Sequence, residues 1–320
     1  MSKIFLTGAS GFIGAEIIRI ALADGHQVAN FDIAEPHYPG QLQFWQHGDV
    51  RDAAAVKAAI SQFAPDYVIH LASDTDVSIT ELDQFKTTID GTRNVTNAVA
   101  ELPMLARFVH ISTQFTVRPG ITPRDEQHLE PYTIYGEAKA ETERIVRGAA
   151  LPVPWIIIRP TIIWGPHHPS FADNIFRHIR TRAYLHPTGS GKIIRAFGYV
   201  ENTADQIYRL ALDTQGKVTK SVYYVGDEAL DYDLWADAFS IGLSGKKARR
   251  IPVAFLTLMG KVGDIFHKIG LPAPIDSGRA FRMSTSSAID LSPTLDVTGA
   301  PPVSFDDGVK ATLSWLADKR

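Results

Sequence analysis

The stretch Thr7-Gly8-Ala9-Ser10-Gly11-Phe12-Ile13-Gly14 decides the fold, because it sets three glycines at a spacing of three between a strand and a helix. The apolar run before it predicts a strand, and the apolar residues near one face of 12–23 predict a helix. Glycines at this spacing let the backbone turn tightly, approach a pyrophosphate and pack helix against strand. Taken alone, the same turn would also suit a plain β–α junction. We predict a dinucleotide site that faces the helix N-terminus and is lined by Gly8, Gly11, Phe12, Ile13 and Gly14.

Asp32 bears on whether NAD or NADP binds. It ends the second predicted strand, 18 residues after Gly14. Its carboxylate would accept hydrogen bonds from the adenosine ribose hydroxyls and repel a 2′-phosphate. The neighbouring residues 31, 33 and 34 include no Arg that would bind such a phosphate. The sequence therefore favours NAD over NADP.

Two further strand ends are candidates for cofactor contacts. Asp49 and Val50 end the third strand, where an Asp side chain can bond the adenine amino group. Leu71, Ala72 and Ser73 end the fourth strand, where small residues let the backbone run beside the nicotinamide ribose and the phosphates. Each pattern by itself is equally compatible with an ordinary strand end.

Strand and helix patterns alternate through the first half of the chain, which is typical of parallel strands joined by right-handed crossovers. A strand at 155–158 that is apolar on both faces predicts a sheet covered on both sides. We predict an α/β fold, a doubly wound parallel Rossmann sheet with a smaller, interleaved C-terminal substrate lobe. The expected division is 1–165 for NAD binding and 166–320 mainly for substrate binding, with a segment at about 192–215 returning to the core. Further helices are expected at 82–100, 132–147 and 171–182, and two or three at 231–301.

Tyr135 and Lys139 lie at positions i and i+4, hence on one face of a predicted helix. A phenol has a pKa of about 10 and is a poor base at neutral pH. A nearby ammonium favours the phenolate, and the lysine can also hold the ribose hydroxyls. Ser112 and Thr113 follow a strand and therefore lie at the carboxyl edge of the sheet, where a hydroxyl can bond a substrate oxygen. A surface pair on an amphipathic helix is the plain alternative for Tyr135 and Lys139.

The order of these motifs resembles the extended short-chain dehydrogenase/reductase family, in its NAD-dependent epimerase/dehydratase group. The resemblance covers most of the chain and rests on TGASGFIG at 7–14, GDVRD at 48–52, HLAS at 70–73, HIST at 110–113, YGEAK at 135–139, IRPTIIWGP at 158–166, RAFGYVEN at 195–202 and FDDGVKATLSWL at 305–316. It implies a catalytic triad of Thr113, Tyr135 and Lys139, an N-terminal NAD site and a substrate site under the C-terminal lobe. Many members act on nucleotide-diphosphate sugars. The resemblance also implies a homodimer that pairs the helices at 82–100 and 132–147.

Three of the positions that depart from the family pattern bear on the expected chemistry. Members with 4,6-dehydratase activity carry Asp-Glu directly after the catalytic Thr, and this chain has Gln114 and Phe115 there. Without a carboxylic acid to protonate a leaving hydroxyl, dehydration is not expected. The family often has Asn where this chain has Thr88, which affects the expected surroundings of the lysine.

Other residues outside these motifs carry weaker signals. Arg195 lies where the family often presents an arginine to the substrate diphosphate, although it could also be a surface charge; Arg279 and Arg282 are lesser candidates. His167 and His168 lack a carboxylate or cysteine at ligand spacing, so we expect no metal site and interpret them as a loop over the substrate pocket. The apolar segment at 253–270 is interpreted as core rather than as an apolar mouth of that pocket.

Composition excludes several classes of protein. The 320 residues are 45% hydrophobic and 21% charged, with a net charge of −3 and no cysteine. Disulfides and thiolate nucleophiles are therefore absent, and no basic footprint for nucleic acid exists. No apolar run approaches the roughly 20 residues that span a bilayer, and we expect no signal peptide before the first strand. We expect a cytoplasmic protein without a nucleic-acid or membrane partner.

The sequence thus predicts an enzyme, an NAD-dependent nucleotide-diphosphate-sugar epimerase or ketosugar oxidoreductase. A rival with the same fold is a hydroxysteroid-type dehydrogenase, which the apolar segment at 253–270 favours and Arg195 disfavours. A rival of another class is a non-catalytic NAD-binding sensor, against which the intact set of Thr113, Tyr135 and Lys139 counts.

Overall fold

The computed structural model describes residues 1–75, 79–168, 171–189, 191–273 and 275–318, without the side chain of residue 173. The strands of this part of the chain are β1 (Lys3–Thr7), β2 (Gln27–Asp32), β3 (Trp45–His47), β4 (Tyr67–His70), β5 (Arg107–Ile111), β6 (Trp155–Pro160), β7 (Ile162–Trp164), β8 (Leu185–Thr188), β9 (Ile194–Arg195), β10 (Phe197–Tyr199), β11 (Val222–Val225), β12 (Leu230–Asp231) and β13 (Arg249–Pro252). The helices are α1 (Phe12–Ala23), α2 (Ala53–Phe63), α3 (Lys86–Ala100), α4 (Ile134–Gly148), α5 (Arg177–Arg180), α6 (Val200–Ala211), α7 (Tyr232–Ser244), α8 (Val253–Lys268), α9 (Ser277–Ser284), α10 (Ser292–Thr298) and α11 (Phe305–Asp318).

A seven-stranded parallel sheet in the order β11-β6-β5-β4-β1-β2-β3 forms the centre of the molecule. The order reverses between β1 and β4, and the chain crosses from one half of the sheet to the other at that point. In open α/β sheets, ligands bind at the carboxyl ends of the strands beside such a reversal. The sheet confirms the predicted doubly wound Rossmann fold.

Helices cover both faces of the sheet, as strands with apolar residues on both sides require. One face is packed by α1 and α6, whose Ile17, Ile18 and Ile207 are fully buried against β1, β5 and β6. The other face is packed by α2, α3 and α4, which contribute residues such as Val56, Val95 and Val146.

The central sheet also contains a strand from late in the chain. Helix α6 packs beside α1, and β11 pairs in parallel with β6 at the edge of the sheet. The chain therefore returns to the sheet as far as residue 225, which is further than the expected segment at about 192–215. Short two-stranded pairings, β10 with β7, β12 with β9 and β13 with β8, connect the remaining elements.

Some helices differ from the sequence expectation. The expected helix at 82–100 is a short 3₁₀ turn, Leu82–Gln84, followed by α3, because buried Phe85 takes a non-helical conformation between them. The expected helix at 171–182 is a π-helical turn, Phe171–Phe176, followed by the short helix α5, which ends at Arg180. The span 231–301 holds α7, α8, α9 and α10 rather than two or three helices. Helices α9 and α10 have 8 and 7 residues, too few for a clear amphipathic repeat.

A buried ion pair ties α4 to β6. The Glu143 carboxylate accepts two hydrogen bonds of 2.8 Å from Arg159, and both side chains are fully buried. Glu143 also accepts a hydrogen bond of 2.6 Å from the Ser112 hydroxyl, directly after β5. One carboxylate therefore joins the helix to two neighbouring strand ends.

Replacing Glu143 by Gln should lower the free energy of unfolding by about 3–5 kcal/mol, because it leaves the Arg159 guanidinium buried without its counter-charge. The matched control is Glu141→Gln on the same helix, whose exposed pair with Arg144 should contribute less than about 1 kcal/mol. Urea unfolding followed by circular dichroism measures both. Equal midpoints for the two variants would contradict the assigned role of Glu143.

Candidate active site

The glycine turn between β1 and α1 brings three segments of backbone close together. Gly8 has a φ of +71°, and a Cβ there would lie 2.5 Å from the backbone nitrogen of Ala72 at the end of β4. A Cβ on Gly14 would lie 2.3 Å from the Cα of Ala9. Gly11 begins α1 without a side-chain cap. The first N–H groups of the helix are therefore left for an anion, and this cradle fits the pyrophosphate of a dinucleotide.

Asp32 lies beside this turn and shapes it. One carboxylate oxygen accepts from the backbone N–H of Ser10 and the other from that of Ala34, both at 3.0 Å. The Ser10 hydroxyl donates to the carbonyl of Ala34 at 2.7 Å and closes the loop. Each carboxylate oxygen keeps a further lone pair for a ribose hydroxyl. The neighbour Ile33 is 59% exposed and offers no cation to a 2′-phosphate.

The two other predicted cofactor segments lie at the same edge of the sheet. The Asp49 carboxylate binds the Arg51 guanidinium, with Oδ2 at 2.5 Å from Nη2, and this hydrogen bonding holds the pKa of Asp49 below its usual range. Asn94 on α3 donates to the carbonyls of Val50 and Arg51 at 3.0 and 2.9 Å. These bonds hold the loop after β3 in place.

Thr88, at the position where the family often has Asn, anchors the loop after β4. Its hydroxyl oxygen lies 3.1 Å from that of Ser73 and accepts from the backbone N–H of Asp74 at 2.9 Å. Leu71 donates from its backbone to the carbonyl of Thr7 at 3.0 Å. The segment 71–73 is thereby held against the glycine turn, with Ala72 beside Gly8.

The structure brings the predicted triad together at the ends of β5 and α4. The Thr113 side chain lies near the Tyr135 phenol and lowers its pKa. The Lys139 ammonium, 2% exposed, donates to the carbonyl of Ile111 at 2.6 Å. Thr133 caps α4 by accepting from the N–H of Gly136 at 3.0 Å, which sets the start of the helix that carries Tyr135 and Lys139.

Burial shifts the pKa values of Tyr135 and Lys139. Burial raises the pKa of Tyr135 to about 12, although the nearby Thr113 side chain acts in the opposite direction. Burial lowers the pKa of Lys139 to about 8, and the negative charge of Glu143 partly offsets this effect. Lys139 is not among the groups that shift the pKa of Tyr135 in this structure, and its ammonium donates to the carbonyl of Ile111.

Two histidines and Glu143 support the triad, and sequence reasoning did not single them out. His70 lies between the hydroxyls of Thr7 and Thr92, at 2.6 and 3.0 Å. His110 lies 2.8 Å from the Thr142 hydroxyl, and burial holds the pKa of both histidines well below the usual value. Glu143 could have been found, because residues 135, 139 and 143 share one helical face. The histidine partners come from distant segments and left no local signal.

A cavity of about 1040 Å³ adjoins the triad. Its lining includes Gln114, Phe115 and Thr133, which neighbour Thr113 and Tyr135 in the chain. The Phe115 ring packs edge-on against Tyr135, with ring centroids 6.1 Å apart. The position that holds a carboxylate in the dehydratases therefore presents an apolar ring here.

Arg195 lines this cavity and is 7% exposed. Its Nε and Nη2 atoms are buried, and within the described part of the chain they have no hydrogen-bond partner. The guanidinium lies over the Tyr232 ring, 4.8 Å from its centroid, and burial lowers the pKa of Arg195. Arg279 and Arg282 line the same cavity.

His167 and His168 make ring contacts near the glycine turn. The His167 ring stacks on His37 at 4.3 Å, and the His168 ring packs edge-on against Phe12 at 4.8 Å. The His168 ring also stacks on Phe171, which lines the cavity, with ring centroids 4.2 Å apart. The two histidines therefore lie between the glycine turn and one wall of the cavity. No group of three or more metal-ligating side chains is found among the described residues. No helix of the described ranges is long and apolar enough to cross a membrane.

A doubly wound parallel sheet, an uncapped glycine turn at its first crossover and a Tyr-Lys helix beside it define an NAD-dependent enzyme of the extended short-chain dehydrogenase type. The model of the NAD-dependent epimerase/dehydratase family matches residues 4–226. The chain belongs to this family, and its cofactor is NAD.

Individual relatives differ in what they act on. The chain is 28% identical over 324 residues to the N-acetyl-α-D-glucosaminyl-diphospho-ditrans,octacis-undecaprenol 4-epimerase of Escherichia coli O157:H7. The match covers 98% of this chain and 95% of that protein. It is 25% identical over 244 residues to a 3-β-hydroxysteroid dehydrogenase of Mycolicibacterium neoaurum, covering 71% of this chain and 66% of that protein. The solved UDP-glucose 4-epimerase of Thermotoga maritima has the same fold, with a TM-score of 0.75, 20% identity and coverage of 99% of each chain.

Asp32→Ala combined with Ile33→Arg should shift cofactor preference from NAD toward NADP, because it removes the carboxylate that repels a 2′-phosphate and adds a cation for it. Titration of each dinucleotide against the two proteins, followed by fluorescence, measures the preference. The single variant Ile33→Arg is the control, since it adds the cation and keeps the carboxylate. Tighter binding of NADP than of NAD to the wild-type protein would contradict the role of Asp32.

Proposed function

We propose that this enzyme is a 4-epimerase, or a closely related ketosugar oxidoreductase, that acts on a sugar carried by a diphosphate, with nucleotide-diphosphate sugars as the expected substrates. The observation that carries the proposal is Arg195. A buried guanidinium with unpaired N–H groups costs free energy unless an anion completes its hydrogen bonds. Its place on the cavity wall matches a substrate diphosphate, because Arg binds phosphate oxygens with two parallel hydrogen bonds.

The triad residues supply proton transfer and position in this proposal. When bound, NAD supplies the hydride acceptor and donor. Tyr135, as the phenolate, takes the proton of the sugar hydroxyl, and Thr113, whose side chain lies near the phenol, orients that hydroxyl. Lys139 is held at the end of β5, where its ammonium can grip the cofactor ribose. For epimerisation, the cavity would have to let the ketosugar turn over, and Tyr135 would return the proton to the sugar oxygen as the bound cofactor reduced the other face.

Dehydration is not part of the proposal. Gln114 and Phe115 follow Thr113, and neither side chain can protonate a leaving hydroxyl. The alternative of a hydroxysteroid-type dehydrogenase rests on the apolar part of the cavity wall, which includes Met259, Ile275 and Met283. A steroid brings no anion to Arg195, so this alternative leaves the buried guanidinium without a partner.

Product formation tests the reaction directly. The protein is incubated with NAD and, in turn, with UDP-hexoses, dTDP-hexoses, an undecaprenol-diphosphate N-acetylhexosamine and a 3-β-hydroxysteroid, and each mixture is followed by NMR. A change of configuration at the sugar C4 supports the proposal. Turnover of the steroid alone would support the hydroxysteroid alternative and overturn the sugar assignment.

Assembly, location and domain roles complete the proposal. We place NAD binding in 1–165 and substrate binding mainly in 166–320, in a cytoplasmic enzyme. Helices α3 and α4 pack against each other beside the site. The exposed pairs Asp90–Arg93 and Glu141–Arg144 leave charged patches on them that a second copy could complement.

We predict a homodimer through α3 and α4. Reversing two charges, with Arg93→Glu and Arg144→Glu, should weaken it by placing like charges in the interface. Light scattering at micromolar concentration gives the mass of both proteins. A wild-type mass equal to one chain would contradict the prediction.

Arg195→Ala should raise KM for the true substrate by about one to two decades, since a charge-assisted contact contributes roughly 1.5–3 kcal/mol. Arg209→Ala is the matched control, because Arg209 is an exposed arginine of α6 that pairs with Asp205. Steady-state kinetics measure KM for both variants and for the wild-type enzyme. A KM that stays at the wild-type value in Arg195→Ala would remove the diphosphate assignment.

Tyr135→Phe should lower kcat by about 10²–10⁴-fold and leave NAD affinity nearly unchanged, because it removes only the acid–base oxygen. Lys139→Met should lower kcat and also weaken NAD. The double variant should lose much less than the product of the two single losses, because groups that act as one unit are non-additive. Tyr208→Phe serves as the control, because it removes a phenol hydroxyl that donates to Asp24, directly after α1 and outside the triad. Near-wild-type turnover in Tyr135→Phe would refute the assigned base.

A further inference from the structure

The outer face of α8 is apolar and exposed, although the sequence pattern favoured the core for this segment. Six large side chains lie 43–64% exposed on this face: Phe255, Leu258, Val262, Ile265, Phe266 and Ile269. At 100° per residue, all six fall within roughly 100° of the helix circumference, so they form one continuous stripe. Exposed apolar patches of this kind mark interaction surfaces.

The opposite face of α8 fixes the orientation of this stripe. Leu256, Gly260 and Gly263 are buried there. A Cβ on Gly260 would lie 3.0 Å from the carbonyl oxygen of Asp276, and one on Gly263 would meet the carbonyl oxygen of Ile275. The helix backbone therefore packs closely on the segment that leads into α9. Rolling the apolar stripe inward would break this packing, so the stripe belongs to the surface.

The stripe lies in a strongly basic part of an otherwise slightly acidic chain. Residues 245–283 include eight Lys or Arg residues and two Asp residues, whereas the whole chain has a net charge of −3. Lys247 and Arg250 pair with Asp233 and Asp237 of α7, and Arg279 and Arg282 line the cavity, so the cations near the stripe are Lys246, Arg249, Lys261 and Lys268. Lys261 and Lys268 are exposed on α8 and flank the stripe on one side. Lys246, Lys247 and Arg249 precede the helix. An apolar helix face bordered by lysines is the pattern of a helix that lies in a membrane interface.

Charge also decides between the two surfaces that could cover the stripe. A second copy of the chain would bring two segments of the same positive charge face to face, which disfavours pairing. An anionic bilayer surface attracts each nearby Lys or Arg by about 1 kcal/mol. The stripe and its charges therefore complement an anionic membrane better than they complement a second copy.

We propose that α8 docks this enzyme on an anionic membrane surface, with the apolar stripe in the headgroup layer and the basic residues at the lipid phosphates. Met259 of α8 and Arg282 of α9 line the cavity, so docking by this face sets the cavity beside the membrane. A helix that lies in the interface needs no run long enough to span a bilayer, which is why the sequence pattern did not indicate a membrane partner.

Co-sedimentation with vesicles tests the proposal on the full chain without using activity, so its outcome is independent of the proposed reaction. The vesicles are phosphatidylcholine alone or phosphatidylcholine with phosphatidylglycerol. The wild-type protein should sediment with the anionic vesicles at least about tenfold more strongly than with the neutral ones. This binding should weaken as salt is raised.

Variants distinguish binding through the stripe from non-specific hydrophobic adsorption to the vesicles. Phe255→Ser with Leu258→Ser and Ile265→Ser should lose vesicle binding by about tenfold or more, because three exposed anchors are removed. The matched control changes three exposed apolar residues elsewhere, Met104→Ser, Leu234→Ser and Ile241→Ser, and should bind like the wild type. Circular dichroism checks that both proteins remain folded. Lys261→Glu with Lys268→Glu should reduce binding to anionic vesicles only.

Three results would overturn the proposal. The first is a wild-type protein that does not sediment with anionic vesicles at low salt. The second is equal loss in the stripe and control variants. The third is a mass that falls from dimer to monomer on changing the stripe in the absence of lipid, which would assign the face to a second copy of the chain.

Discussion

The hydrogen bond from the Lys139 ammonium to the carbonyl of Ile111 holds the site together. It joins α4 to the end of β5, the strand that delivers Thr113, and so determines where Tyr135 meets Thr113. Glu143, one turn further along α4, repeats the connection through Ser112 and Arg159. The helix is therefore attached to the sheet by polar groups at successive turns, and the phenol at its start is placed by these attachments.

This attachment has an electrostatic consequence. An ammonium buried behind the sheet edge is costly, and burial lowers its pKa, yet Glu143 nearby partly restores the charged form. The histidines on the neighbouring strands, His70 and His110, are held neutral by burial, so they add no competing charge. The positive charge of the site is thereby concentrated on one group, close to where the cofactor ribose is expected.

Two buried arginines show how environment separates a structural from a binding role. The Arg159 guanidinium is fully paired with Glu143 and bonds the Tyr224 hydroxyl. The Arg195 guanidinium is almost as buried, yet it faces a cavity and keeps unpaired N–H groups within the described chain. A protein gains nothing in stability from such an arrangement, so the second arginine is better explained by an anionic ligand. The basic, apolar surface around α8 extends the same contrast to the outside of the molecule.

The sequence by itself determined the parallel sheet, the glycine turn and the cofactor, because these depend on local spacing, and it predicted Tyr135 and Lys139 on one helical face. Residues 7–14 need only a strand before them and a helix after them, and residues 135 and 139 need only one helix. Most bounds of the early elements followed from the same short-range patterns. The family resemblance extended this to the proposed substrate class and to the absence of a dehydratase acid.

Only the tertiary structure decided which side chains from distant segments meet and which faces remain exposed. The bonds of His70 with Thr7 and Thr92 and the closure of the cavity by α9 involve residues far apart in the chain. The apolar residues of α8 show the physical reason most clearly. Their spacing describes an amphipathic helix whether the apolar face turns inward or outward, and the close packing of Gly260 and Gly263 on the other side decided that it turns outward.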